Sequence, residues 1–457
     1  MTEVASSPGV PIVLPVGDGR ARVAGTLHTL DVPVRHAEPD GPRRRLTYAS
    51  LAATTRKPGP PIVLLAGGPG ESGIESLDWP GGGRAELWAT LREMGDVIAL
   101  DQRGTGWSWP VPLAPVPLDL ALDHAVDAEE ALEGMLVACR RMQDAWRGSD
   151  DLAAYTVLES ADDVASLADV LGVDRIRLLG ASYGSHLGLA ILRRHADRVD
   201  RAMLSLVEGP DHTYKLPSLV DAALRDVAER AAAVPEHAGG HPDLLGDLEA
   251  SLAMLAARPR PVPCDSSTVV VGSFDLQRAV AGSIGDAEAL AVLPARIRGI
   301  GGGDLRWLAR ETLARRRGWP ASAMHWQTDA ASGASTARRA RIATERAGTM
   351  LGDVIGHPFP GIEAAWPSAD IGDEARGPLV TDRPVQLLSG GLDGRTPPGN
   401  AEEVRRTMTR AGHVVVDGLT HDEGLVSAEV RDRIVRFLGG EDAVDSTLTV
   451  PFRFRRP

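Results

Sequence analysis

A serine hydroxyl attacks a carbonyl only when a neighbouring base takes its proton and the chain holds it clear of the surrounding backbone. Arg175–Arg194, R-I-R-L-L-G-A-S-Y-G-S-H-L-G-L-A-I-L-R-R, has the form that meets the second requirement. A short apolar run meets G-x-S-x-G and passes directly into a helix-like pattern, which reads as a nucleophile elbow with Ser182 at its tip. Gly180 and Gly184 are small enough to let such a turn close. The pentapeptide alone is weak evidence; the strand before it and the helix after it make it specific.

That serine also needs oxyanion donors, a base and an acid. Upstream, Pro61–Gly73 reads P-I-V-L-L-A-G-G-P-G-E-S-G, a buried strand entering a glycine-rich loop. Backbone N–H groups of such a loop can face a developing oxyanion, and Gly68 with the amide of Tyr183, next after the nucleophile, is the expected pair. Downstream, Pro384–Pro398, P-V-Q-L-L-S-G-G-L-D-G-R-T-P-P, presents Asp393 beyond a strand end, and His413–Glu423, H-V-V-V-D-G-L-T-H-D-E, carries His421 in the loop after another strand. The chain order Ser, Asp, His is the α/β-hydrolase order. His421 is then expected to take the Ser182 proton and return it to the leaving group, while Asp393 fixes the imidazole tautomer. Asp382, Asp417 and Asp422 are competing acids, and His413 sits on a predicted strand where packing suits it better. Asp393 and His421 are favoured.

The elements that must position these residues follow from the pattern. Gly25–Ala53 alternates as an antiparallel hairpin around Asp40-Gly41-Pro42. Short apolar runs follow at Ile62–Leu65, Val97–Leu100, Ile176–Leu179, Ala202–Val207, Val385–Leu388 and Val414–Val416. Helical stretches separate them at Ala128–Trp146, Ser160–Leu171, Ser185–His195, Ala401–Arg410 and Ser427–Leu438, with Gly172 and Gly412 as expected helix stops. This alternation predicts a mostly parallel sheet with helices on both faces. Between Asp211 and Pro378 the strand signal largely disappears, so the expected organisation is a core over 1–210 and 379–457 with a helical cap over 211–378, inserted after the sixth core strand and overhanging the nucleophile. Gly299–Gly303 and Ala330–Ala337 read as flexible joints within it. The arginine clusters Arg315–Arg317 and Arg338–Arg341 read as a solvated, salt-bridged face in preference to an anion site.

The G-G-P-G loop, the D-Q-R-G-T-G-W-S turn over Asp101–Ser108, the G-A-S-Y-G elbow and the G-G-L-D-G-R-T-P-P turn together resemble the proline iminopeptidase and tripeptidyl aminopeptidase family of α/β-hydrolases. The resemblance covers the elements on both sides of the long central segment. It implies Ser182 as nucleophile, Asp393 and His421 as its partners, the amides of Gly68 and Tyr183 as the oxyanion hole, and Asp101 and Arg103 as structural support for the oxyanion loop. Many members have histidine before the two glycines, whereas this chain has Ala66; backbone donors survive that change. The family's cap or cap-edge carboxylates hold the substrate ammonium, which makes Glu208 and Glu345 the candidates here. Glu345 lies where related members have C-x-E, with Ala343 in place of the cysteine, and the W-E-x-x-T pattern of proline iminopeptidases is missing.

Composition narrows the partners. A net charge of −13 over 457 residues argues against nucleic acid or an anionic membrane as partner. No run approaches the roughly 20 apolar residues of a membrane span, and Met1–Val16 lacks the form of a signal peptide, so a cytoplasmic location is expected, or a secreted one had a leader been removed. Cys139 and Cys264 suit buried thiols better than a bridge. No spacing suggests a metal site, and no glycine fingerprint a dinucleotide or phosphate loop, so no cofactor is expected. The sequence thus predicts a serine hydrolase acting through an acyl-enzyme on a peptide or small molecule, foremost an aminopeptidase. The alternatives are a small-molecule esterase, lactonase or amidase, and a non-catalytic ligand-binding protein of the same fold.

Overall fold

A computed structural model describes every residue except 1–8, 17–20, 79–83, 109–115, 147–150, 237–238, 319–320, 367–368, 423–426 and 457. Half of the stretch read for a leader, and Glu423, therefore lie outside the described residues.

The first three strands, β1 (Val10–Val16), β2 (Ala21–Pro33) and β3 (Arg43–Leu51), pair antiparallel, and β3 continues antiparallel onto β5 (Val97–Asp101). From there the sheet is parallel through β4 (Ile62–Leu65), β6 (Ile176–Ala181) and β7 (Val199–Ser205). After an interruption in which β8 (Arg260–Cys264) and β9 (Ser267–Val271) form a separate hairpin, it resumes with β10 (Val385–Gly390), β11 (Ala411–Asp417) and β12 (Ser446–Thr449). The ten strands stand in the order β1-β2-β3-β5-β4-β6-β7-β10-β11-β12.

β4, β5 and β10 are buried at every position, without alternation, because both faces are covered. Helices α1 (Arg84–Arg92) and, at the chain's end, α14 (Ala428–Leu438) cover one face with Leu87, Leu91, Ile434 and Phe437. On the other face lie α3 (Val157–Val170), α4 (Tyr183–His195) and α13 (Pro398–Arg405), burying Val164, Leu167, Leu187 and Ala401. α2 (Ala128–Trp146) packs in a satellite cluster with Trp326 and Ile362. The expected mostly parallel sheet with helices on both faces is the fold observed.

The segment between β7 and β10 carries α5 (Pro217–Ala232), α6 (Leu244–Ala257), α7 (Ser273–Ser283), α8 (Ala287–Gly301), α9 (Arg306–Arg317), α10 (Ala323–Ser332), α11 (Thr336–Glu345) and α12 (Gly372–Arg376). Several expectations change here. The two stretches read as flexible joints are the end of α8 with its following turn and the junction of α10 and α11, where the Ser335 hydroxyl caps α11. The arginine clusters form the expected salt-bridged, solvated face only in part: Arg317 and Arg341 are exposed and paired with Asp119 and Glu345, but Arg316 is buried on Asp275 at 2.7 Å, and Arg338 is buried with its Nε donating to the Tyr214 carbonyl at 2.8 Å. Gly412 is no helix stop but a residue of β11, since α13 ends at Arg405. β1 makes the strand before the insertion the seventh. Cys139 and Cys264 are buried free thiols. No helix among the described residues is long and apolar enough to cross a membrane.

Candidate active site

The sheet changes direction of growth at β4, where β5 lies on one side and β6 on the other. Crevices open beyond the carboxyl ends of strands at such a point. Ser182 follows β6 there, and Gly67–Gly70 leave β4 beside it.

Ser182 has φ 55° and ψ −126°, a conformation sparsely populated by any residue with a side chain. It persists because neighbours over-determine it. A Cβ on Gly180 would stand 2.4 Å from the carbonyl oxygen of Gly184, and one on Gly184 would stand 2.1 Å from that of Leu65. The two glycines thus let the elbow close on itself and on β4. Ser185, one turn along α4, donates its hydroxyl to the Ser182 carbonyl at 2.6 Å.

The Ser182 hydroxyl donates to His421 Nε2 at 3.0 Å, and His421 Nδ1 donates to Asp393 Oδ2 at 2.9 Å. Asp393 is fully buried, and its carboxylate also accepts from the amides of Arg395 and Thr396 at 2.8 and 2.9 Å, and from the Thr396 hydroxyl at 2.5 Å. Burial opposes its ionisation, but the charge and hydrogen bond of His421 and the bonds from Thr396 outweigh that and hold its pKa at about 2. A carboxylate kept ionised there favours the Nδ1–H tautomer, which leaves Nε2 free to accept the serine proton. The rival groups lie elsewhere. His413 bridges Glu402 and the Ser389 hydroxyl within the sheet, Asp417 pairs with Arg230, Asp382 with Arg383, and Asp422 accepts from the Thr420 hydroxyl and the Ala287 amide.

A cavity of about 310 Å³ opens at Ser182 and His421, walled by Gly67 and Gly68 on the β4 side. Gly68 has φ 107°, outside the range open to other residues. The amide of Tyr183 belongs to the first turn of α4, where no intrahelical acceptor exists. The tyrosine's side chain points away into the core.

The G-G-P-G loop is anchored from behind. Asp101 accepts from the Ser72 hydroxyl at 2.7 Å and the Ile74 amide at 3.0 Å, and from the Trp107 amide with its other oxygen. Gln102 donates to the Ala66 carbonyl. Arg103 supports the site less directly: wholly buried, it clamps Asp163 of α3 with two bonds and the carbonyls of Val34 and Ala154. From above, α10 closes on the loop, with Ser322 and Met324 against Gly70.

The two carboxylates expected to hold an ammonium part company. Glu345 is not brought to Ser182; it pairs with Arg341 and accepts from the Ser218 amide at the start of α5. Glu208 lies close by, its amide bound to the Ser185 hydroxyl at 2.8 Å, but its side chain is already paired with Lys215 at 2.6 Å. Asp329 of α10 shares that surrounding. Burial and the charge of Glu208 push the Asp329 carboxyl up, whereas Lys215 holds Glu208 below the usual carboxylate range; His325 stands 3.5 Å from Asp329. Thr396, Lys215 and Asp329 were missed in the sequence. Thr396 stands in the quoted turn beside Asp393, whereas nothing local marks Asp329.

The family description "alpha/beta hydrolase fold" matches residues 60–252. This is an α/β-hydrolase fold. Over 186 residues the chain is 30% identical to the serine protease Hip1 of Mycobacterium tuberculosis, which covers 38% of this chain and 34% of that protein. Over 190 residues it is 26% identical to the tripeptidyl aminopeptidase of Streptomyces lividans, covering 39% and 34%. The chain thus matches about a third of the length of these curated relatives. The proline iminopeptidase of Mycobacterium smegmatis aligns over 90% of this chain and 97% of its own at 19% identity and a TM-score of 0.41.

Proposed function

We propose that the protein is a serine hydrolase that opens amide or ester bonds through an acyl-enzyme at Ser182, foremost as a peptidase acting from the amino end of short peptides. The observation that carries this reading is the unbroken hydrogen-bonded series Ser182–His421–Asp393 at the mouth of a cavity. His421 takes the Ser182 proton as Oγ bonds to the substrate carbonyl carbon, and the amides of Gly68 and Tyr183 receive the oxyanion. Collapse of the tetrahedral adduct expels the leaving amine or alcohol with the proton from His421. Water then repeats the sequence on the ester. A peptide substrate is supported by what the two curated relatives are named for.

Action from the amino end is supported by the Glu208 carboxylate, whose residue is bonded to Ser185 next to the Ser182 carbonyl and which a substrate ammonium would share with Lys215. A small-molecule esterase or amidase is the second reading, favoured by the fact that Lys215 already occupies Glu208. The two separate in a panel of peptidyl chromogenic amides with free and N-acetylated amino ends beside short-chain esters. The peptidase reading expects free-amine amides to be preferred, and Glu208→Gln to lower that preference roughly 30-fold. Turnover of esters alone, or a preference that Glu208→Gln leaves unchanged, selects the second reading.

A further inference from the structure

The cavity at Ser182 holds more charge than bond cleavage requires. Besides the triad and the oxyanion loop, it is lined by Glu71, Arg84, Arg395 and Asp422, with Trp88 and Leu206 as apolar wall. Asp422 is accounted for: it is exposed and occupied by the Thr420 hydroxyl and the first amide of α8. The guanidiniums are not. Neither Arg84 nor Arg395 closes an ion pair among the described residues, and Nε of Arg84 is buried without a hydrogen-bond partner. Arg395 crosses Gly285 so closely that a Cβ there would stand 2.6 Å from its Nε, so the shape of the neighbouring chain fixes its course toward the cavity. Glu71, three residues beyond Gly68, interacts electrostatically with both arginines and with His421 but is hydrogen-bonded to none of them. Against the two guanidiniums stand the half-buried Glu71 and the solvent-exposed Asp422, whose charge water screens, so the guanidiniums are only partly answered.

We propose that Arg84 and Arg395 form an anion subsite that receives a carboxylate carried by the substrate, making the substrate an ester or amide with a carboxylate near the bond that is cut. The proposal rests on Ser182 being the nucleophile. A guanidinium fork matches a carboxylate edge and holds it by charge-assisted bonds, which suits Arg84, whose Nε lacks any partner. One substrate carboxylate would give Arg84 and Arg395 the partner they lack among the described residues, and Trp88 and Leu206 would cover the carbon chain joining it to the reacting carbonyl. The carboxylate can belong to the acyl part or to the leaving group.

Two matched pairs of esters distinguish these sources. Nitrophenyl hemiglutarate against nitrophenyl butyrate places the charge on the acyl side, and carboxyphenyl butyrate against phenyl butyrate places it on the leaving group. The anionic member of one pair is expected to have the higher kcat/KM, and Arg84→Gln and Arg395→Gln are each expected to lower that anionic-to-neutral ratio about 30-fold. A measurement on the unaltered protein guards against misfolded variants: glutarate, but not glutaramide, should slow labelling of Ser182 by a fluorophosphonate. If Ser182 is labelled and neutral esters are hydrolysed, yet neither pair shows a charge preference and glutarate gives no protection, the subsite is refuted and the nucleophile stands. If Ser182 is not labelled and no ester is hydrolysed, the nucleophile reading fails and the subsite falls with it.

Discussion

Two buried polar clusters flank Ser182, and they are built on opposite principles. In the triad, every oxygen of Asp393 has a donor, so hydrogen bonds and the field of His421 overcome burial and the acid stays ionised. Around Glu208, Lys215 pairs with Glu208 while Asp329 has only His325 at 3.5 Å, so burial and the charge of Glu208 push Asp329 up. The first cluster hangs on loops at the carboxyl ends of β6, β10 and β11. The second joins the end of β7 to helices of the inserted segment. A carboxylate with a donor for every oxygen stays ionised against burial, whereas one with fewer partners gives way to it.

The largest effect expected from disturbing this contrast is in the triad. His421→Ala should lower kcat by about 10⁴-fold or more, since the hydroxyl loses its base. His413→Ala, in a sheet position bonded to Glu402 and Ser389, should cost stability instead. The assignment of the two histidines is wrong if steady-state kinetics on folded protein find them reversed.

In the second cluster, Lys215→Met leaves Glu208 without its cation. Breaking one side of a buried pair costs on the order of 3 kcal/mol. Chemical denaturation should therefore show a lower midpoint, and adding Glu208→Gln should restore much of the loss. A single variant as stable as the wild type would mean that the pair is solvated.

A smaller effect is expected from His325, on the helix that covers the oxyanion loop. Burial lowers its pKa from 6.5 to about 4. The unfolded chain then takes up a proton that the folded chain refuses, so stability falls as pH drops from 6.5 toward 4 and is unaffected above that window. Since 26% of the side chain is exposed, screening trims the loss to about 2 kcal/mol. His325→Gln should flatten this part of the stability–pH curve; an unchanged slope would assign it to other groups, of which His357, also lowered to about 4 by burial, is the first candidate.

The contrast between the clusters also explains what was legible in the sequence. The elbow, the G-G-P-G loop and the turns bearing Asp393 and His421 are local patterns: a buried run, then small residues, then a polar tip. Their hydrogen bonds join segments distant in sequence, but chain order and turn chemistry sufficed to pair them. Nothing local links Lys215 to Glu208 and Asp329, or Arg84 to Arg395, because the loops and helices that bring them together carry no shared period. Short strands were lost for a related reason. β12 has no buried residue, and the β8–β9 hairpin carries two prolines. The buried arginines Arg316 and Arg338 look like surface residues until Asp275 and the Tyr214 carbonyl are placed beside them.

The account turns on Ser182 being activated by His421. Peptide mass spectrometry after brief exposure to a fluorophosphonate measures this most directly, on the wild type and on His421→Ala. The expected result is a single adduct on the peptide containing Ser182 in the wild type, and labelling slowed by orders of magnitude in the variant. An adduct on another serine, or equal labelling of Ser182 in both proteins, would contradict it.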